Sequence, residues 1–214
     1  MNDNLSYELF QKKKVFVFDL DGTIVNLKVN WKELKKLLEA KYSKKYNKDI
    51  KVDSISGSLS YVVNMGDIDT LIELFEFIRE FELKHIEKNE IVQETIYFIN
   101  NKREFGVSKD AKIAILSLNS RTTIIISIKQ ANIRDKIDYI IGREDVRRWK
   151  PHPEGLIKIQ NHFNVKREEM IYIGDMKKDL ITGKNAGIQA AIIDDFITFI
   201  NKHAEDSIKK TIEK

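Results

Sequence analysis

Asp19 and Asp21 stand two residues apart in the stretch Phe16-Val17-Phe18-Asp19-Leu20-Asp21-Gly22-Thr23, where a short apolar run ends. If that run is a strand, the alternation of its side chains points both carboxylates to one side and Leu20 to the other. Two like charges so close raise each other's cost of ionisation, so a cation must stabilise them or one must keep a proton. A bound Mg²⁺ with a phosphate-ester substrate resolves the conflict, because magnesium takes one or two carboxylates together with substrate phosphate oxygens. Asp19 then sits on the metal and faces the phosphorus. Gly22 permits the tight turn that follows, and Thr23 can hydrogen-bond the loop. Taken alone, this stretch is also compatible with an ordinary Asp-Gly turn.

Three further groups have the chemistry to join that pair. In Ile113-Ala114-Ile115-Leu116-Ser117-Leu118-Asn119-Ser120 a second apolar run ends in Ser117, which could donate to a phosphoryl oxygen. Asn119 is a further candidate for substrate contact, and Ser120 suits the N-cap of a following helix. The stretch Arg147-Arg148-Trp149-Lys150-Pro151-His152-Pro153-Glu154 contains both prolines of the chain. They stiffen a loop in which Lys150 could neutralise charge on a transferring phosphoryl group. Finally, Gly174-Asp175-Met176-Lys177-Lys178-Asp179 places one acid directly after an apolar run and a second four residues on. Asp175 reads as a direct Mg²⁺ ligand, with Asp179 behind it orienting a metal-bound water or Lys150. Each piece has a plain structural alternative: a turn or cap for Ser117, an exposed lysine before a helix for Lys150, a helix cap for Asp175.

The elements that must carry these groups are legible as alternation of strands and helices. Short apolar runs at residues 15–20, 112–118, 138–141, 170–173 and 189–193 read as buried parallel strands, separated by stretches long enough for helices. Open sheets of this kind bind ligands beyond the C-terminal ends of their strands, where the acids and Ser117 lie. Between residues 26 and 106 the period becomes helical and no proline occurs. Helices are expected over 31–46, 69–88 and 90–102, while the Ser-rich stretch 54–65 has no clear assignment. The core is therefore expected over 1–25 and 107–214, with an inserted helical domain over 26–106. The Lys-rich C-terminus after Asn201 reads as a surface helix that frays.

Composition excludes several classes. The chain has 214 residues, 42% hydrophobic and 33% charged, with a formal net charge of +4 and no cysteine. It thus has no disulfide, thiolate metal site or Cys nucleophile. No apolar run reaches the roughly 18 residues of a membrane span, and the N-terminus lacks a signal-peptide pattern, so a cytoplasmic protein that binds no membrane is expected. Basic residues are scattered among acids and form no concentrated stripe, which disfavours nucleic acid as a partner.

In combination and order, the four motifs resemble those of the haloacid dehalogenase-like superfamily: DxDGT, a strand-terminal Ser or Thr, a Lys, and GDxxxD. The resemblance covers residues 10–25 and about 107–200 and implies a flavodoxin-like, Rossmannoid α/β sheet of strand order 5-4-1-2-3. It also implies that Asp19 attacks phosphorus, that the Asp21 backbone carbonyl and Asp175 complete the protein's Mg²⁺ ligands, and that Ser117 and Lys150 bind phosphate. On this reading Asp21 protonates the leaving oxygen and then takes a proton from water, which requires a raised pKa. The insertion between the first two motifs resembles a type C1 helical cap, whereas Ser117 and Lys150 are only 33 positions apart. Arg79, Lys84 and His85 in the insertion, with Arg148 and Lys177 in the core, are further candidates to touch substrate, although exposed charged side chains explain them equally well. Relatives often carry another acid where this chain has Asn26. The expected activity is Mg²⁺-dependent hydrolysis of a small phosphorylated metabolite, similar to that of phosphoglycolate phosphatases. A sugar phosphomutase of the β-phosphoglucomutase type uses the same residues, and a phosphate-binding regulatory module without turnover is a third possibility. The second acid, Asp21, argues against a dehalogenase.

Overall fold

The computed structural model describes residues 5–212. In chain order its elements are α1 (Tyr7–Gln11), β1 (Val15–Phe18), β2 (Val25–Asn26), α2 (Trp31–Tyr46), α3 (Ile55–Asn64), α4 (Ile68–Leu83), β3 (Glu90–Ile91), α5 (Gln93–Asn101), β4 (Lys112–Leu116), α6 (Arg121–Gln130), β5 (Tyr139–Ile141), α7 (Glu154–Phe163), β6 (Met170–Gly174), α8 (Lys177–Ala186), β7 (Gln189–Ile192) and α9 (Ile193–Ile212).

Five strands form one parallel sheet in the order β5-β4-β1-β6-β7. Counted along the sheet's own five strands, this is the order 5-4-1-2-3 read from its other edge. The β-branched and aromatic runs form strands because both sheet faces are covered, so each residue finds apolar neighbours. Alternation divides the strands between two cores. Phe16, Phe18, Ile113, Ile115, Ile171 and Ile173 face α1, α5, α6 and α9, whereas Val15, Val17, Ala114, Leu116, Met170 and Tyr172 face α7 and α8. At the centre of the first face, Phe98 of α5 lies 5.2 Å from Phe16 and 5.1 Å from Phe196, ring centre to ring centre. Such aromatic pairs add roughly 0.5–1.5 kcal/mol beyond the area they bury.

The strands end earlier than the apolar runs do. β1 stops at Phe18 and β4 at Leu116, yet the ladder takes one more step in each case. The Asp19 N–H donates to the Ile173 carbonyl at 2.9 Å, and the Ser117 N–H to the Ile141 carbonyl at 3.0 Å. Both residues therefore start their loops from a fixed backbone position.

Within residues 26–106 the expected helix at 31–46 is α2, capped by the Asn30 side chain. The unassigned stretch 54–65 contains α3, whose N-cap Ser54 accepts from the Gly57 N–H. The helix expected over 69–88 ends at Leu83, and a separate 3₁₀ turn follows at Ile86–Lys88. The helix expected over 90–102 is shorter by its first turn, because Glu90–Ile91 instead pairs antiparallel with Val25–Asn26. This two-stranded ribbon is where the chain leaves and re-enters the core, and α5 beyond it packs on the sheet. α2, α3 and α4 pack together through Leu34, Leu38, Tyr42, Leu59, Val62, Leu74 and Ile78. Among the described residues no helix is long and apolar enough to cross a membrane. The Lys-rich end belongs to α9 as far as Ile212, and its expected fraying concerns side chains outside those described.

Candidate active site

Lys150 is the hub of the strand-end cluster. Its ammonium donates to Asp19 Oδ2 at 2.7 Å, to Asp179 Oδ1 at 2.7 Å and to the Tyr172 hydroxyl at 3.0 Å, which uses all three of its protons. The Tyr172 hydroxyl itself donates to Asp179 Oδ1 at 2.7 Å. Lys150 and Asp179 are only 5% and 1% exposed, so their charges survive burial through one another. Burial opposes the Lys150 charge, but Asp19 and Asp179 outweigh it and hold the ammonium above its ordinary range. Burial pushes the Asp19 carboxyl up while Lys150 pulls it back. Asp19 Oδ1 also accepts from the Leu20 N–H at 2.7 Å, which fixes the carboxylate plane. Tyr172 was missed from sequence, although a tyrosine within an otherwise aliphatic strand run is a signal for a buried polar partner.

Because β1 ends at Phe18, strand alternation does not extend to Asp21. Its carboxylate turns toward the inserted segment, where Oδ1 accepts from the Leu27 N–H at 2.9 Å and Oδ2 from the Trp31 indole N–H at 3.0 Å. Burial raises its pKa to about 6, against the lowering effect of the Leu27 and Trp31 bonds. Asp21 can thus carry or release a proton near neutral pH, as a general acid or base requires. The turn after it is held by backbone bonds, with Ile24 and Val25 N–H groups donating to the Leu20 carbonyl. The buried Thr23 hydroxyl, expected to bond the loop, has no hydrogen-bond partner among the described residues.

Asp175 follows β6 directly, and α8 starts at Lys177, so Asp175 lies outside that helix and does not cap it. The role of cap falls to Asp179, whose Oδ2 accepts from the Met176 N–H at 3.0 Å. Burial, then Asp19 and Asp179, push the Asp175 carboxyl up to about 7. Two glycines let these acids approach the turn. A Cβ on Gly22, whose φ is +73°, would lie 2.5 Å from Asp175 Oδ2, and one on Gly174 would lie 2.5 Å from Asp179. Oxygens of Asp19, Asp175 and Asp179 lie within 4.8 Å of one another. Hard carboxylate oxygens at that spacing, with Asp175 in no ion pair among the described residues, suit a divalent ion such as Mg²⁺.

Ser117 and Asn119 face the same space. The Ser117 hydroxyl donates to Asn119 Oδ1 at 2.8 Å, and the Asn119 N–H returns to Ser117 Oγ at 3.2 Å. Ser120 caps α6, as its position suggested, by accepting from the Thr123 N–H. Behind them stands a group that sequence reasoning missed. Glu82 of α4, 1% exposed, accepts from Asn119 Nδ2, the Ser120 N–H, the Thr123 hydroxyl and, at 2.7 Å, the fully buried Arg143. The buried residues of α4 are Thr70, Leu74, Ile78 and Glu82, so the acid continues an otherwise core-facing stripe. That position was the available signal.

A cavity of about 350 Å³ lies between the strand ends and the inserted helices, lined by Asp19, Asp21, Ser117, Asn119 and Asp175 on one side and by Trp31, Lys35, Ser56 and Lys178 on others. Lys150 and Asp179 sit behind this wall. Arg79, Lys84, His85, Arg148 and Lys177 do not line it. Arg79 pairs with Glu76 on its own helix, and Arg148 with Glu154.

The sequence model of the haloacid dehalogenase-like hydrolases matches residues 16–193. The chain is 29% identical over 179 residues to the pyrophosphatase PpaX of Halalkalibacterium halodurans, an alignment covering 83% of this chain and 81% of that protein. Among solved structures, CbbY from Rhodobacter sphaeroides in complex with phosphate superposes with a TM-score of 0.56 at 14% identity, over 84% of this chain and 85% of that one. A predicted phosphoglycolate phosphatase from Haemophilus somnus gives 0.55 at 16% identity, over 85% and 84%. At such identities the structural likenesses establish the fold.

Proposed function

The chain belongs to the haloacid dehalogenase-like hydrolases, and from that premise we propose that it is a phosphatase, hydrolysing a small phosphate ester through a phosphorylated Asp19. The observation that carries this reading is the Asp19–Lys150–Asp179 cluster, in which a buried ammonium holds one carboxylate in place at the edge of a cavity. A nucleophile needs this fixed orientation, because positioning supplies much of the rate of phosphoryl transfer. The pyrophosphatase activity named for the Halalkalibacterium relative is of the same chemical type.

In the first step an Asp19 oxygen bonds to phosphorus as the ester P–O bond breaks, and Asp21 gives its proton to the departing oxygen. In the second, water attacks the acyl phosphate and passes a proton to Asp21, the Asp19–phosphorus bond breaks, and phosphate leaves. Asp21 suits both half-reactions, with a pKa of about 6. Ser117 and Asn119 bind phosphoryl oxygens, while Lys150 keeps Asp19 oriented and neutralises charge beside it. Asp19, the Asp21 backbone carbonyl and Asp175, with Asp179 behind them, would hold Mg²⁺, which when bound would supply charge neutralisation for the phosphoryl group. The segment 28–89, between the two halves of the ribbon, acts as the cap, and α5 stays with the core. The cap keeps bulk water and large polymers from the cavity, which leaves small phosphorylated metabolites of the cytoplasm as substrates.

The test is phosphate release over a panel of small phosphate esters with added Mg²⁺, together with mass measurement of the intact protein after rapid acid quench. Turnover with one added phosphoryl group on the chain, absent in Asp19→Asn, supports the reading. Turnover that survives Asp19→Asn refutes it.

A further inference from the structure

We propose that Lys35 and Lys178 form a second anion subsite at the cap end of the cavity, so that the substrate carries a carboxylate or another phosphate besides the phosphoryl group that is transferred. This rests on the phosphatase reading and narrows its substrate class.

Three basic residues line the cavity: Arg143, Lys35 and Lys178. Arg143 is already neutralised by Glu82 at 2.7 Å. The other two are not. Lys178 Nζ donates to the Ser56 hydroxyl at 3.0 Å, and Lys35 Nζ to the Asp53 backbone carbonyl at 3.2 Å. Among the described residues neither has a carboxylate within 4.0 Å. Both are partly buried, whereas an idle lysine normally extends its ammonium into water. Two unpaired cations turned into one half-buried space raise each other's electrostatic cost, and an anion arriving between them removes it.

The two lysines come from opposite sides of the site. Lys35 is on α2 of the cap and Lys178 in the first turn of α8, three residues after Asp175. An anion held by both would bridge cap and core while the phosphoryl group lies against Asp19. Asp19, Asp175, Lys35 and Lys178 line a single space of about 350 Å³, so one small molecule can present an anionic group to each end.

The experiment compares three Mg²⁺-supplemented substrates: carboxymethyl phosphate, inorganic pyrophosphate and the neutral-ended 2-hydroxyethyl phosphate. Each is assayed with the unaltered chain, Lys35→Met, Lys178→Met and the rescue variant Lys178→Arg. Binding of phosphonoacetate against ethylphosphonate is measured by titration calorimetry, which needs no turnover. The unaltered chain should prefer at least one doubly anionic substrate over the neutral-ended one, and the better of the two identifies the second group as carboxylate or phosphate. Loss of one charge-assisted bond corresponds to roughly a 10- to 100-fold rise in KM. Each Met variant should therefore lose at least tenfold more kcat/KM on the preferred substrate than on 2-hydroxyethyl phosphate, chiefly through KM. The advantage of phosphonoacetate should shrink in parallel, and Lys178→Arg should recover most of it. Equal efficiency on all three substrates, or equal losses on charged and neutral ones in both Met variants, would overturn the subsite while leaving the phosphatase reading intact. No hydrolysis of any ester or anhydride by the unaltered chain would instead overturn the phosphatase reading, and the subsite with it.

Discussion

Removing Glu82 should destabilise the protein far more than its place on an inserted helix suggests. The carboxylate receives Asn119 Nδ2 at 3.1 Å, the Ser120 N–H at 3.0 Å, the Thr123 hydroxyl at 2.8 Å and Arg143 Nη1 at 2.7 Å. In Glu82→Met the Arg143 charge, 0% exposed, keeps among the described residues the Leu118 carbonyl at 3.1 Å, the Phe75 carbonyl at 3.4 Å and the face of the Phe75 ring. Breaking a buried ion pair from one side costs about 3–5 kcal/mol, and three orphaned donors add to it. For a chain of this size each kcal/mol lowers Tm by roughly 2–4 °C, so the expected fall is about 6–20 °C. Arg143→Met should cost less, because Glu82 would keep three neutral donors. The double variant should recover much of the loss, since an apolar pair of similar volume can replace a buried ion pair at little cost. Urea titration followed by tryptophan fluorescence suits the measurement, because the Trp149 indole donates to the Arg143 carbonyl at 2.9 Å and its ring meets Phe75. A coupling energy of at least about 2 kcal/mol is expected from the double-mutant cycle. Single losses below about 1 kcal/mol, or additivity within roughly 0.5 kcal/mol, would refute the view that this pair welds cap to core.

Asp19→Asn should abolish turnover and phosphoenzyme together. Asp21→Asn should instead slow alkyl esters far more than aryl esters with good leaving groups, and comparable losses on both in steady-state assays would contradict its role as acid. Trp31→Phe removes a bond that lowers the Asp21 pKa, so that pKa should rise beyond about 6. Turnover of alkyl esters needs the protonated acid and falls as pH rises through this value. The fall should therefore move to higher pH in the variant, and an unmoved or lowered midpoint in the pH profile would count against the assignment. Folding stability should carry the same signature. Asp21 and Asp175 titrate at about 6 and about 7 when folded, above the 3.8 of an unperturbed carboxyl. The folded chain then binds more protons than the unfolded one across this interval, so metal-free stability should decline as pH rises from about 4 to 7. Asp175→Asn, or added Mg²⁺, should flatten that decline in thermal melts, and chelator should restore it while stopping turnover.

The sheet was legible in the sequence because its strands are continuous apolar runs, and the order of their ends places Asp19, Ser117 and Asp175 around one opening. Boundaries were less legible, since hydrophobicity persists through Leu20 and Leu118 after the strands have ended. The ribbon at Glu90–Ile91 was missed because two residues carry no periodicity, and the adjoining stretch reads as helix. Ser54 begins a helix that composition disguised: five of its neighbours in 54–65 are small or polar, and only the capping bond reveals its start. Lys150 could be proposed from its loop, and its partner Tyr172 was signalled only by a lone hydroxyl-bearing ring within the otherwise aliphatic run of β6. Arg79 on α4, and Lys84 and His85 just beyond its end, were weighed as substrate contacts but do not line the cavity. Cations on and just after α4 drew attention as phosphate binders. The residue that reaches the core is the acid on its apolar stripe, since a charge costs least in a buried place when its counter-charge is already there.

Asp21 gives a physical reason for placing a cap directly after the first strand. Of the two groups that fix its carboxylate, the Leu27 N–H lies just before the proposed cap and the Trp31 indole opens its first helix, α2. The nucleophile, by contrast, is fixed by Lys150 and by the Leu20 N–H, all within the core. A shift of the cap would therefore leave Asp19 in place while taking the Trp31 bond from Asp21, and solvent reaching the loosened carboxyl lowers its pKa toward that of an ordinary acid. At neutral pH such an acid is ionised and cannot protonate a leaving oxygen. On the proposed mechanism, seating of the cap does two things at once: it excludes water from the acyl phosphate, and it keeps Asp21 buried and near a pKa of about 6. Glu82 favours that seated state from the far side of the cavity, through contacts with Asn119 and Arg143. The cap is thus fastened at two points, one through the proton donor and one through the neighbour of the phosphate-binding Ser117, so a misplaced cap disables both proton delivery and phosphate binding.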